Sequence, residues 1–279
     1  MKIIGGSASQ LLASRVASRL GCELIRVEYK RFPDGESYVR VQDDIDEVLI
    51  IQSTVVDSDW ICLLQLIDAC EGAKHIRVVI PYVGYARQDS QSHPGEAISA
   101  RALAKTVHVA EIFTINIHNP SILKYFSGKV RDLDAAPSIG RYVSSLKLNK
   151  PIIIAPDDGA RALAESAALN LGIDFDVLEK KRLSGDEVEI KAKHLDVTDR
   201  DVVIIDDIIS TGGTMAETIE LLRRQKPNDI YAACVHPVLV RDAVSRLFQA
   251  GAKDVIATDT IEKGVSVVSV APIIAEALK

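Results

Sequence analysis

Val202-Val203-Ile204-Ile205-Asp206-Asp207-Ile208-Ile209-Ser210-Thr211-Gly212-Gly213-Thr214 reads as a buried strand, a pair of carboxylates, and a loop of small and hydroxyl residues that opens a helix. Four β-branched apolar residues in succession have the continuous hydrophobicity of a strand covered on both faces. Met215, Ile219 and Leu222 then fall on one helical face. A strand-to-helix turn of this kind aims backbone N–H groups and a helix N-terminus at an anion, and Ser and Thr add hydroxyl donors. The acids do not serve that anion, because like charges repel; they suit a neighbouring polyol, a metal or an amine. An anion cradle beside a hydroxyl acceptor describes a site for a sugar phosphate. The plainer alternative is a tight turn with Ser210 or Thr211 as N-cap, but that leaves two consecutive acids without a reason.

Outward from this segment, strands and helices alternate along the chain. Strand-like runs fall at 2–5, 24–32, 38–41, 48–52, 76–82 and 112–117, with helical periodicity at 10–20, 60–70 and 98–107. A break follows near Ala135-Ala136-Pro137, then a helical stretch over 139–146, after which the alternation restarts. Strands are expected at 152–155, 176–179, 188–192, 202–205, 230–235 and 255–257, and helices at 160–171, 215–224 and 241–250. This is the pattern of an α/β protein with largely parallel sheets. Ligands on such sheets gather at the carboxyl ends of strands, so strand-end residues are where chemistry is sought. The two halves share a layout rather than residues, which hints at duplication.

The 279 residues are 47% hydrophobic and 26% charged, enough for two packed domains. The formal net charge of -6 offers no basic field for a polyanion, so nucleic acid is not an expected partner. Cys22, Cys62, Cys70 and Cys234 show neither zinc spacing nor a Cys-x-x-Cys pair and read as small core residues in a reducing compartment. Neither a signal-like apolar stretch nor a membrane-length run is present, so the expectation is a cytoplasmic protein without membrane association. P-loop, Gly-x-Gly-x-x-Gly and Gly-x-Ser-x-Gly strings are absent from the sequence.

Other strand ends carry candidate chemistry. Arg87-Gln88-Asp89 follows a strand through Gly84, and Arg87 has the planar donor fork that suits phosphate. Taken singly it reads more readily as a surface ion-pair residue. Arg31-Phe32-Pro33-Asp34-Gly35-Glu36 has the composition of a turn between two strands. His118 closes the strand at 112–117; Asp157 ends the strand at 152–155 before a helix and is either an N-cap or a ligand to a hard cation. Glu179-Lys180-Lys181-Arg182 is a charge run of the sort found on solvated hairpins.

The 202–214 segment resembles the ribose-phosphate signature of the phosphoribosyltransferase-type fold. The Tyr85-Ala86-Arg87-Gln88-Asp89 string and the Phe32-Pro33-Asp34-Gly35-Glu36 turn look like those of ribose-phosphate pyrophosphokinases, in a short, archaeal-like form. Five motifs, from Phe32 to Thr214, occur in that family's order. The resemblance implies two similar phosphoribosyltransferase-like domains, each a mainly parallel sheet flanked by helices: residues 1–138 on the ATP side and 139–279 on the ribose 5-phosphate side, with the last helix packing back on the first. It implies that Asp206 and Asp207 hold the ribose hydroxyls, and that Ser210, Thr211, Gly212, Gly213 and Thr214 hold the 5-phosphate. Phe32, Asp34, Gly35 and Glu36 would receive adenine, reaching into a neighbouring subunit's site, so self-association as a dimer or hexamer is expected. Arg87 and Gln88 would contact ATP, and His118 and Asp157 would hold Mg2+ on the ATP phosphates. Lys180 and Arg182 would act on the transferring group, Arg182 also on ribose 5-phosphate. The implied reaction passes the diphosphoryl group of ATP to ribose 5-phosphate for nucleotide biosynthesis. The rival readings are a phosphoribosyltransferase, which consumes the product of that reaction, and a non-catalytic regulatory subunit associated with the synthetases.

Overall fold

The computed structural model describes residues 1–43, 45–184, 187–192 and 196–279, and the side chains of these outside 179–195. The chain divides into two compact units, the first formed by Met1–Asp134, Thr260–Glu262 and Ser269–Lys279, the second by Ala135–Asp259 and Lys263–Val268.

The first unit runs β1 (Lys2–Gly5), α1 (Gln10–Leu20), β2 (Val27–Arg31), β3 (Ser37–Val41), β4 (Glu47–Ile51), α2 (Asp57–Asp68), β5 (His75–Ile80), α3 (Ser99–Ala104), β6 (Glu111–Ile115) and β7 (Lys129–Leu133). Its five-stranded sheet has the order β1-β4-β5-β6-β7, parallel throughout. Val48, Leu49, Ile50 and Ile51 are all fully buried, which is why β4 is an unbroken apolar run: both faces of a parallel sheet are covered. β2 and β3 form a separate antiparallel pair and alternate instead. Val27, Tyr29, Val39 and Val41 lean on the core, and the intervening charged residues face out.

The second unit runs α4 (Ala136–Ser145), β8 (Ile152–Ala155), α5 (Arg161–Ala168), β9 (Asp174–Ser184), β10 (Glu187–Ala192), β11 (Val202–Ile209), α6 (Gly213–Arg223), β12 (Ile230–Pro237), α7 (Ala243–Ala250), β13 (Asp254–Thr258) and β14 (Ser266–Val268). Its sheet has the order β10-β9-β8-β11-β12-β13-β14, with only the β10–β9 pair antiparallel. From β8 the chain goes outward to β9 on one side, then returns to place β11 on the other. Strand order therefore reverses between β8 and β11, which makes the space beyond their carboxyl ends a topological switch point. The last helix, α8 (Ala271–Ala277), belongs to the first unit, where it packs on α1 and its Ala277 carbonyl accepts from Arg131 Nη1 at 2.9 Å.

Two differences from the sequence expectation matter for the site. The acids do not follow β11 but lie inside it, because pairing with β12 continues through Asp206↔Cys234 to Ile209↔Pro237. The strand carrying His118 ends earlier than expected, at Ile115, because Asn116 turns the backbone to φ +38°.

Candidate active site

β8 pairs with β11 only as far as Ile154↔Ile204, and β8 itself stops at Ala155. Past that point one edge of β11 has lost its neighbour. Asp206, Asp207 and Ile208 accordingly change from fully to partly buried, and the two acids line the switch-point crevice. Asp206 Oδ1 accepts the Asp207 N–H at 2.9 Å. Burial, and next the adjacent Asp207 carboxylate, push the Asp206 pKa up to about 7, with a smaller contribution from Asp157. Asp157 stands exposed just beyond β8 and caps a short 3-10 turn, accepting the Gly159 N–H at 2.9 Å. Asp157, beyond the end of β8, thus lies near enough to the acids of β11 to be felt by Asp206, an arrangement that favours a hydroxyl donor. Among the described residues no group of three or more His, Cys, Asp or Glu side chains is placed to hold a metal ion.

The loop after β11 is built to leave a helix end open. Neither Ser210 nor Thr211 caps α6; the N-cap is Gly212, at φ +74° and without a side-chain cap. That left-handed conformation favours glycine, and a Cβ there would also approach the Ala243 carbonyl to 3.3 Å. The first helical N–H to bond is that of Ala216, on Gly212 O at 2.9 Å. The N–H groups of Gly213, Thr214 and Met215 therefore point out of the helix end, where the positive end of the helix dipole lies. Hydrogen bonds from Leu239 N to Ile209 O (2.9 Å) and from Val240 N to Ser210 O (3.1 Å) hold the loop from behind.

The first unit has a cleft of about 760 Å³ beyond the carboxyl ends of β4 and β5. Residues 55–58 form one wall, and Tyr82, Tyr85, Arg87 and Gln88 the other. Gly84 lets the walls approach, since a Cβ there would sit 1.9 Å from the Thr54 carbonyl. Tyr85, at φ +62°, donates its hydroxyl to Asp57 across the cleft. Gln88 is oriented by Ser99, whose hydroxyl donates to Oε1 at 2.7 Å.

Asp89 joins this wall to the next strand end by accepting from Asn119 Nδ2, a bond that holds its carboxyl below the usual range, with the neighbouring His118 adding a little. His118 is exposed on a turn fastened at both flanks. Ile117 N donates to both oxygens of Asp132 at 3.2 Å, and Asn116 Nδ2 donates to Asp134 at 2.9 Å. Burial raises the Asp132 carboxyl, and the 2.6 Å bond from Thr114 partly offsets this.

The turn at residues 32–36 links β2 to β3. Phe32 N donates to Glu36 O (2.8 Å), Gly35 N donates to Phe32 O (2.9 Å), and Gly35 takes φ +97°. Asp34 accepts the Glu36 N–H at 3.1 Å, so its carboxylate shapes the turn. Phe32 is 47% exposed and meets Tyr38 edge-on at 6.1 Å. This turn does not line the cleft that holds Arg87 and Gln88.

Residues 1–110 match the model of the N-terminal domain of ribose phosphate pyrophosphokinase, and residues 135–271 match the phosphoribosyl transferase domain. A ribose-phosphate pyrophosphokinase of Methanosarcina acetivorans is 58% identical over 281 residues, spanning 100% of this chain and 99% of its own. The chain belongs to the ribose-phosphate pyrophosphokinase family. A Pyrococcus furiosus ribose-phosphate pyrophosphokinase is 36% identical, covering 97% of this chain and 98% of its own. The crystal structure of phosphoribosylpyrophosphate synthetase from Mycobacterium smegmatis gives a TM-score of 0.84 at 28% identity, covering 99% of this chain and 97% of that one.

For this member of the ribose-phosphate pyrophosphokinase family, the structure gathers Asp157, Asp206, Asp207 and the 210–214 loop at one crevice of the second unit. It gathers Arg87 and Gln88 in the first-unit cleft, with His118 beside Asp89. Phe32, Asp34, Gly35 and Glu36 stand apart on their exposed turn. The backbones of Lys180 and Arg182 lie on β9, opposite Ile190 and Val188 of β10. Their side chains lie outside the described residues. Sequence reasoning passed over Asp132 and Asp134, which fasten the His118 turn. β7, which carries Asp132, is a mostly polar edge strand with no apolar run to betray it.

Proposed function

We infer that this chain is a ribose-phosphate pyrophosphokinase, transferring the diphosphoryl group of ATP to the anomeric hydroxyl of D-ribose 5-phosphate. The products are 5-phosphoribosyl 1-diphosphate, for nucleotide biosynthesis, and AMP. The observation that carries this reading is the switch-point crevice, where the Asp206-Asp207 pair adjoins the open N-terminus of α6. A carboxylate accepts from vicinal ribose hydroxyls, while exposed N–H groups and the hydroxyls of Ser210, Thr211 and Thr214 bind a phosphate that those carboxylates would repel.

Arg87 and Gln88 are assigned to ATP, Arg87 through its fork and Gln88 through an amide already oriented by Ser99. Lys180 and Arg182 are assigned to the transferring group. Positive charge placed there stabilises the phosphoryl transition state more than the ground state, and Arg182 also meets ribose 5-phosphate. Asp157 and His118 are assigned to Mg2+, each on its own unit's geometry. An exposed carboxylate with one oxygen on a backbone N–H suits a hard cation held mainly by substrate phosphates and water. When bound, Mg2+ neutralises charge on the ATP phosphates.

Phe32, Asp34, Gly35 and Glu36 are assigned to the adenine of a neighbouring copy, so the active form is at least a dimer. The half-exposed ring of Phe32, on a turn outside the Arg87 cleft, supports that assignment. We place the protein in the cytoplasm. Its four cysteines are free thiols, and among the described residues no helix is long and apolar enough to cross a membrane.

The test is to supply purified protein with ATP, ribose 5-phosphate and Mg2+, and to follow AMP. AMP formed in step with ribose 5-phosphate, and abolished by chelation, is the expected result. Nucleotide formed from 5-phosphoribosyl 1-diphosphate and a free base, without AMP in the first assay, would make it a phosphoribosyltransferase.

A further inference from the structure

Arg246, on α7, stands beside the open end of α6. A methyl group placed on Gly213 would lie 3.8 Å from Thr211 Oγ1 and 3.9 Å from Arg246 Nη1. The hydroxyl and the guanidinium therefore converge on one small volume next to the first helical residue. Gly213 keeps that volume open for reasons other than its backbone, since it is absent from the glycines with positive φ. Contacts at 3.8 and 3.9 Å are ordinary packing, so the fold would tolerate a side-chain methyl. Gly212 is the contrast, with φ +74°. What a methyl at position 213 would obstruct is access to the helix end.

Arg246 is also only loosely engaged by its present partner. Its side chain is 44% exposed, and its contacts with the carboxylate of Asp242, the N-cap residue of α7, are 3.3 and 3.4 Å long. A strong charge-assisted bond measures about 2.7–2.9 Å, so the present partner holds it loosely. The electrostatic need is local. Asp206 and Asp207 are adjacent within β11, and repulsion between them contributes to the raised Asp206, with Asp157 adding less. A phosphate arriving beside them needs more positive charge than a helix end supplies.

We propose that Arg246 is a binding residue for the phosphate of ribose 5-phosphate, leaving Asp242 to complete, with Thr211 and the α6 N-terminus, the cradle that distinguishes a phosphorylated pentose from a free one. This rests on the reading of the second unit as the ribose 5-phosphate site.

The experiment is calorimetric titration of the full-length protein with ribose 5-phosphate, and separately with ATP, for wild type, R246Q, R246K, D242N and G213A. R246Q should lose at least about tenfold in ribose 5-phosphate affinity, the scale of one charged hydrogen bond to phosphate, while binding ATP as before. R246K should fall between it and wild type, because it keeps the charge without the fork. D242N should bind ribose 5-phosphate at least as tightly as wild type, and G213A more weakly with its thermal midpoint kept. Wild-type affinity in R246Q overturns the proposal. So does a loss in D242N as large as in R246Q, which would make the arginine a brace for α7. If R246Q does not fold, wild-type affinity in R246K together with loss in D242N overturns it equally. Failure of the wild type to bind ribose 5-phosphate would instead sink the functional reading, and this inference with it.

Discussion

Asp206 is held where burial and a neighbouring carboxylate both oppose its charge. Its raised pKa means that, between the ordinary aspartate value near 3.9 and about 7, the folded chain holds a proton that the unfolded chain has released. The stabilisation is complete below that window and is lost as pH rises through it, at about 1.4 kcal/mol per pKa unit. In metal-free buffer the thermal midpoint should therefore decline from pH 5 to pH 8, and Asp206→Asn should flatten that decline and raise the midpoint at pH 8. A parallel decline in the variant would remove Asp206 as the cause. The same variant should bind ribose 5-phosphate less well, because an ionised carboxylate is the better hydroxyl acceptor. Lys180→Ala should lower kcat by roughly two orders of magnitude with a smaller effect on KM, as expected for a group acting on the transition state. Steady-state kinetics with both substrates varied will separate the two.

At the scale of elements, the first-unit cleft depends on a close approach between the chain after β4 and the chain after β5. Gly84 donates its N–H to Thr54 Oγ1 at 2.9 Å, and Thr54 Oγ1 donates to Tyr82 O at 3.1 Å. Because a Cβ on residue 84 would lie 1.9 Å from a backbone oxygen, Gly84→Ala must displace one wall. We expect a loss of about 2–4 kcal/mol, in the range of other backbone-displacing substitutions, together with a raised KM for ATP. Denaturant unfolding and ATP kinetics check the two parts separately. Unaltered stability would mean that the walls separate easily and that Gly84 does not set the cleft width. The β2–β3 turn behaves oppositely. Phe32 meets Tyr38 only edge-on and is half-exposed, so Phe32→Ala should change stability by less than about 1 kcal/mol while weakening ATP use.

For the whole molecule, that exposed turn has a consequence for assembly. If Phe32 serves a neighbouring copy, Phe32→Ala and Lys180→Ala proteins, each impaired by itself at limiting ATP, should regain activity when mixed and allowed to exchange subunits. A site can then combine Lys180 from one copy with Phe32 from another. Activity that stays at the sum of the two separate proteins would place both residues in one copy's site.

Much of this organisation was legible from short-range pattern. The run Val202–Ile205 is hydrophobic on both faces, so it announced a buried strand, and the small, hydroxyl-rich loop after it announced an open helix start. The α1 stripe of Leu12, Ala13, Val16 and Ala17 was equally plain. What the chain determined by itself was the order of elements, the presence of acids beside a phosphate-type loop, and the composition of the turn at Phe32. Only the tertiary structure decided that Asp206 and Asp207 stay within β11, since pairing with β12 overrides the poor strand propensity of aspartate. Strand order likewise brings Asp157 to Asp206, and the packing of α7 beside α6 brings Arg246 to Gly213. Periodicity and turn chemistry act over a few residues, whereas these meetings join positions tens of residues apart, and their geometry exists only once the sheet has chosen its neighbours.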